Sequence, residues 1–92
     1  MTKRVYITGI GIISAIGNNV VQVLHSLHNS ISGIGDITLV DTVYKNILPA
    51  AEVKLNNEQL IKLAAVSNPA KHTRTSLLGL IAARQALQSA GL

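Results

Sequence analysis

An α/β fold that cannot be completed by its own residues is what this sequence of 92 residues predicts. Three observations carry that reading. Residues 5–8 form a β-branched and aromatic run closed by Gly9, two asparagines precede a one-sided helical pattern, and the last segment is apolar around most of a helix. A strand that turns into a helix, followed by further helices, is the pattern of a layered α/β architecture.

The first element is Val5, Tyr6, Ile7 and Thr8, a composition that suits a buried strand. Gly9, Gly11 and Gly17 punctuate the apolar turn that follows, where glycine lets the backbone approach a neighbour closely. Asn18 and Asn19 are both natural N-caps. Behind them Val20, Val21, Val23, Leu24, Leu27 and Ile31 recur at helical spacing, and Ser32 and Gly33 are expected to end that helix. Short strands are predicted over residues 37–40 and 51–55, with a polar loop around Tyr44, Lys45 and Asn46 between them. Asn56 and Gln59 have capping-box spacing ahead of Leu60, Ile61, Leu63, Ala64 and Ala65. Asn68 and Pro69 stop that helix, because the residue before a proline avoids the α region, and the chain restarts near Thr73 or Thr75.

The final helix is the most informative piece. Leu77, Leu78, Leu80, Ile81, Ala82, Ala83, Ala86, Leu87 and Ala90 leave it scarcely any polar face. Such a helix belongs inside a larger body. Gly79, Ala82, Ala83 and Ala86 are small enough for close approach by other elements, and Gly91 is placed to end the helix as its C′ residue. A chain this short buries only about two-thirds of its unfolded surface, so it has room for one modest core and cannot cover that helix on several sides. The segment is therefore read as the opening portion of a larger domain, or as a chain that needs a partner.

Composition removes whole classes of chemistry. There is no cysteine, so no disulfide framework, thiolate ligand or thiol nucleophile exists in this chain. Hydrophobic residues make up 48% and charged residues 13%, too apolar for a disordered chain. The glycine turn is not a dinucleotide fingerprint, because Ser14 stands where the third glycine is needed. His25 and His28 are spaced i, i+3 but lack a third ligand nearby, so no metal and no cofactor is expected. Only Tyr6 and Tyr44 are aromatic, which leaves no stacking platform for nucleic acid. No run approaches the roughly 20 apolar residues of a membrane span, and the start lacks a signal-peptide cleavage pattern, so a cytoplasmic protein is expected.

Charge is unevenly placed. All four acids, Asp36, Asp41, Glu52 and Glu58, precede a stretch from Gln59 onward that holds Lys62, Lys71, Arg74 and Arg84 and no acid. That excess favours an acidic partner.

The opening Lys3-Arg4-Val5-Tyr6-Ile7-Thr8-Gly9-Ile10-Gly11-Ile12-Ile13-Ser14-Ala15-Ile16-Gly17-Asn18 resembles the start of the β-ketoacyl-acyl carrier protein synthases. The closing Leu80-Ile81-Ala82-Ala83-Arg84-Gln85-Ala86-Leu87-Gln88-Ser89-Ala90-Gly91-Leu92 resembles that family's long helix, and Ser32-Gly33-Ile34 falls where the family has the same turn. Ala15 departs from the family's usual proline. The resemblance implies a thiolase-like fold, of which residues 1–92 are the N-terminal part of the N-terminal domain, an incomplete layered α-β-α unit. It further implies decarboxylative condensation of a cysteine-bound acyl group with malonyl-acyl carrier protein, assisted by two histidines, in fatty-acid or polyketide-type synthesis. His25, His28 and His72 do not match those histidines, so no catalytic residue is assigned here. Lys71, His72 and Arg74, in the basic stretch leading into the long helix, are assigned to docking the acidic carrier protein. The competing reading of these three is an ordinary solvated turn. The remainder of the enzyme or a second subunit is the other expected partner, with a homodimer when complete. A different class of function, a non-catalytic homologue resembling a chain-length factor or a truncated subunit that acts only by pairing with another, is the alternative.

Overall fold

A computed structural model describes residues 3–92. The order along the chain is α1 (Val20–His28), β1 (Ile34–Asp36), β2 (Pro49–Ala51), α2 (Asn57–Ala64), a 3-10 turn (Pro69–Lys71) and α3 (Arg74–Ser89). Helices and a small sheet are both present, as an α/β reading requires.

Capping chemistry sets most helix ends. Of the two asparagines it is Asn19 that caps α1, its side chain accepting the Gln22 amide at 2.9 Å. The helix stops earlier than Ser32: Asn29 donates its side-chain amide to the His25 carbonyl at 2.7 Å, and Ser30 then adopts φ 54°. For α2 the capping box is complete, with the Asn56 side chain accepting from the Gln59 amide at 2.8 Å and the Gln59 side chain accepting from the Asn56 amide at 2.9 Å. It ends at Ala64, before Asn68, with Ala65 in the left-handed region at φ 52°. Pro69 opens the 3-10 turn instead, where its missing N–H costs nothing. Thr73 caps α3, and Gly91 takes φ 79° past its end. The amides of Gly91 and Leu92 reach back to the Gln88 and Leu87 carbonyls at 3.1 and 2.9 Å, which closes a Schellman motif.

The sheet departs from expectation in two ways. Residues 5–8 lie outside any strand, with Val5 90%, Tyr6 72% and Ile7 82% exposed. A strand needs a neighbour for its ladder, and no partner strand lies beside this run among the described residues. The two strands that do form sit earlier than predicted, with Ile34, Gly35 and Asp36 opposite Ala51, Ala50 and Pro49 in antiparallel register. Residues 37–40 belong to the connecting loop, held by Glu52 rather than by a ladder.

The core lies between α2 and α3. Leu60 and Ala64 meet Leu77 and Ile81, with Ile13, Leu55, Ile61, Val66 and Leu78 packed partly around them. On another side of α3 the glycine segment lies almost in backbone contact with it: a Cβ at Gly9 would sit 2.7 Å from the Ala90 nitrogen. Gly17 is similarly close to α1, 2.6 Å from the Val23 nitrogen. Gly79, expected to serve close approach, faces open space. Gln85 ties this arrangement together, its side-chain oxygen accepting the Ile12 amide at 3.0 Å while its side-chain nitrogen donates to the Asn18 carbonyl at 2.6 Å.

Much apolar surface remains open. Leu80 and Leu87 on α3 are uncovered, and on α1 Val21, Leu24 and Leu27 are 77%, 50% and 62% exposed. The residue α1 buries is Ser26, whose hydroxyl donates to the Ile16 carbonyl at 2.6 Å. The apolar stripe of α1 is wider than the loop that covers it. The accessible area is 6971 Å², against about 5,100 Å² for a closed protein of this mass. The radius of gyration of 15.6 Å likewise exceeds the value of about 12 Å for a compact domain of this length.

Candidate functional site

The predicted docking residues sit at one junction, where the 3-10 turn enters α3. Lys71 closes the turn and is exposed; His72 and Arg74 flank the α3 cap Thr73 and are half-buried. Backbone bonds from the Lys71 amide to the Asn68 carbonyl at 3.2 Å and from the His72 amide to the Pro69 carbonyl at 3.1 Å set the turn.

Each side chain then faces a different environment. The His72 ring nitrogen Nδ1 is 3.1 Å from the Ser76 hydroxyl, one turn along α3. Arg74 reaches the other way, donating from Nη1 to the Asn57 side-chain oxygen at 3.1 Å and from Nη2 to the Val53 carbonyl at 2.9 Å. Its guanidinium thus fastens the start of α3 to the start of α2. A cation in the first turn of a helix is electrostatically unfavourable, and these acceptors offset it. Lys71 is the member of the trio that presents its charge outward.

The other singled-out residues do not converge on a reaction centre. His25 packs its ring near Asn29, 3.4 Å from the side-chain nitrogen, on the exposed side of α1. Among the described residues no three His, Cys, Asp or Glu side chains are grouped to hold a metal. Gly9, Gly11 and Gly17 act through backbone packing. Among the described residues no helix is long and apolar enough to cross a membrane.

Glu52 was not singled out by the sequence, and it is the most strongly perturbed acid. It is 7% exposed and accepts the amides of Thr38 at 2.7 Å, Leu39 at 3.2 Å and Val40 at 3.2 Å, together with the Thr38 hydroxyl at 2.8 Å. The Thr38 amide and hydroxyl, with the next two amides, hold its carboxyl down to about 2 from the usual 4.5, against the opposing effect of burial. The only hint in the sequence is an acid set among apolar neighbours, Ala50-Ala51-Glu52-Val53. A folded-state pKa below the unfolded one means that stability from Glu52 is present in full above about 4.5 and is lost as pH falls toward about 2. Protection of the amides at residues 38–40, measured relative to the unstructured exchange rate at each pH, should therefore fall across that window. In Glu52→Gln the same amides should exchange fast already at pH 7; equal protection in both forms would show that the carboxylate does not hold the loop.

Comparison with known proteins brings two likenesses that run the length of this chain. The chain is 37% identical over 93 aligned residues to 3-oxoacyl-(acyl-carrier-protein) synthase 1 of Buchnera aphidicola from Schizaphis graminum, covering 98% of this chain and 22% of that protein. It is 34% identical over 91 residues to 3-oxoacyl-(acyl-carrier-protein) synthase 2 of Staphylococcus aureus, covering 98% of this chain and 21% of that one. A shorter stretch of 32 residues is 62% identical to synthase 1 of the Buchnera from Acyrthosiphon pisum. The chain spans about a fifth of the length of the curated relatives it matches in full. No protein-family model matches it, and no solved structure does.

Proposed function

This chain is a segment of a β-ketoacyl-acyl carrier protein synthase, and on that premise we propose that the polypeptide carrying it joins an acyl thioester to malonyl-acyl carrier protein with loss of carbon dioxide. The observation that supports this most is a likeness running through 98% of the chain to proteins named for that reaction. The reaction belongs to fatty-acid or polyketide-type synthesis, in the cytoplasm and within a thiolase-like fold that the rest of the polypeptide completes. With no cysteine of its own, the segment supplies scaffold and no nucleophile. A non-catalytic homologue is the competing reading, and a nucleophilic cysteine outside this chain is what separates the two.

Within that function, Lys71, His72 and Arg74 form the surface that meets the acidic carrier protein. The roles divide by geometry. Lys71 offers an exposed charge, while Arg74 positions the junction through Val53 and Asn57. Rim charges act on encounter and its salt dependence more than on packing. In the intact polypeptide, Lys71→Glu should weaken carrier-protein binding several-fold and flatten its salt dependence, with helix content unchanged. Arg74→Glu is a poorer test, because it also strands the Val53 carbonyl. If Lys71→Glu leaves affinity and salt dependence as they were, the turn is solvated surface and the docking assignment fails.

A further inference from the structure

The donors gathered around Glu52 form a set that a carboxylate fits and few other groups would. Its Oε1 accepts the Thr38 amide at 2.7 Å, the Thr38 hydroxyl at 2.8 Å and the Leu39 amide at 3.2 Å, while Oε2 accepts the Leu39 and Val40 amides, each at 3.2 Å. Both oxygens are used, and every one of these donors is neutral and comes from a single run of three residues. Glu52 itself is 7% exposed, and a buried carboxylate stays charged only where several hydrogen bonds replace its water. Glu52 follows Ala51, which pairs with Ile34, whereas Thr38 lies beyond Asp36 at the other end of the ladder. The chain after β1 therefore turns back along the ladder to bring its amides to the carboxylate. All of these contacts lie within residues 38–52, so the donors are complete whatever the remaining polypeptide covers.

We propose that residues 38–40 are a receptor for a carboxylate with Glu52 as its built-in ligand, and that this receptor takes a small free carboxylate once the Glu52 side chain is removed. The donors define the chemical class. Two acceptor oxygens on one planar group are needed; a carboxamide offers one and turns an NH2 group toward an amide that also donates. A phosphate brings further oxygens for which the run has no donor left. Three of the four donors are backbone amides, so the receptor depends on the path of the chain, and the Thr38 hydroxyl is the side-chain contribution. Tethering gives Glu52 an effective concentration that keeps free carboxylates out of the wild-type protein. The receptor is independent of the condensation reaction and of carrier docking at Lys71.

The test is chemical rescue in the intact polypeptide, read as hydrogen exchange of the segment 37–48 at pH 7. The probe is sodium formate, with sodium chloride at equal ionic strength and neutral formamide as controls. Glu52→Ala should lose protection at residues 38–40 by roughly tenfold or more, since charge-assisted hydrogen bonds are removed together. Formate should restore that protection saturably, and neither chloride nor formamide should. The wild-type protein and Glu52→Gln should not respond to formate, because in each a side chain already fills the site. Absence of a formate effect on Glu52→Ala overturns the proposal, as does equal restoration by either control or an equal response of Glu52→Gln. Should Glu52→Ala fail to fold, Thr38→Val and Thr38→Ser decide with Glu52 in place. Lower protection at residues 39 and 40 in Thr38→Val, retained in Thr38→Ser, is then expected; the same protection in both overturns the proposal.

Discussion

Leu60→Ala is expected to cost about 2–5 kcal/mol, the range for removing a large aliphatic side chain from a packed site. Leu60 is fully buried, and it is the largest side chain of the core cluster to be so. It sits one turn into α2, its amide bonded to the Asn56 carbonyl at 3.0 Å, and its side chain joins Leu77 and Ile81 of α3. With four residues making up the buried cluster, the loss leaves the α2–α3 seam to the partly buried side chains around it and to the Arg74 bonds to Asn57 and Val53. Domains of ordinary size are stable by only about 5–15 kcal/mol, and this chain closes less of its surface than a compact one. In urea titrations followed by circular dichroism at 222 nm, the variant should therefore lose its helical signal near zero denaturant. Leu63→Ala, at a side chain 48% exposed on the same helix, should shift the midpoint far less. Equal behaviour of the two variants would show that the α2–α3 seam is not where stability resides.

Substitution of Gly11 should have the next largest effect. An added Cβ would collide with the Ala82 carbonyl oxygen and come within 2.7 Å of the Ala86 nitrogen and 2.8 Å of the Gln85 Cβ. The first two are backbone atoms of a helix, so no rotamer change relieves them. The chain must lift off α3, and the bond from the Ile12 amide to the Gln85 side chain at 3.0 Å goes with it. Overpacking of about 1–3 kcal/mol plus a lost hydrogen bond of about 1 kcal/mol predicts a destabilisation of roughly 2–4 kcal/mol for Gly11→Ala. Gly79→Ala is the opposite case. It lies inside α3 with nothing within 4 Å of the new methyl, so it should be neutral or stabilise by up to about 1 kcal/mol through helix propensity. Thermal melts should drop for Gly11→Ala and hold or rise for Gly79→Ala; an unchanged melt for Gly11→Ala would mean the glycine segment does not rest on α3.

These contrasts show which features can be read locally. The Asn56 and Gln59 capping box, the Thr73 cap and the Gly91 terminus were all legible, since each depends on atoms a few residues apart. The choice of Asn19 over Asn18 and the early end of α1 at Asn29 were less so, because neighbouring residues offered nearly equivalent caps. For the docking trio, sequence placed the three residues in one basic turn but carried no sign that Arg74 bonds to Val53 and Asn57. Those acceptors lie well upstream, and nothing in their residue types marks them as partners.

By itself, then, the sequence determined the presence of the helices, the caps of α2 and α3, the absence of thiol chemistry and the family likeness, all of which rest on short-range pattern or residue identity. Tertiary structure decided that residues 5–8 stay unpaired, that the strands pair Ile34 with Ala51, that Glu52 gathers three amides, and that α1 buries Ser26 while Val21 and Leu24 face outward. A ladder or a buried face needs a partner distant in sequence, and whether an apolar run is covered depends on what packs beside it rather than on its own residues.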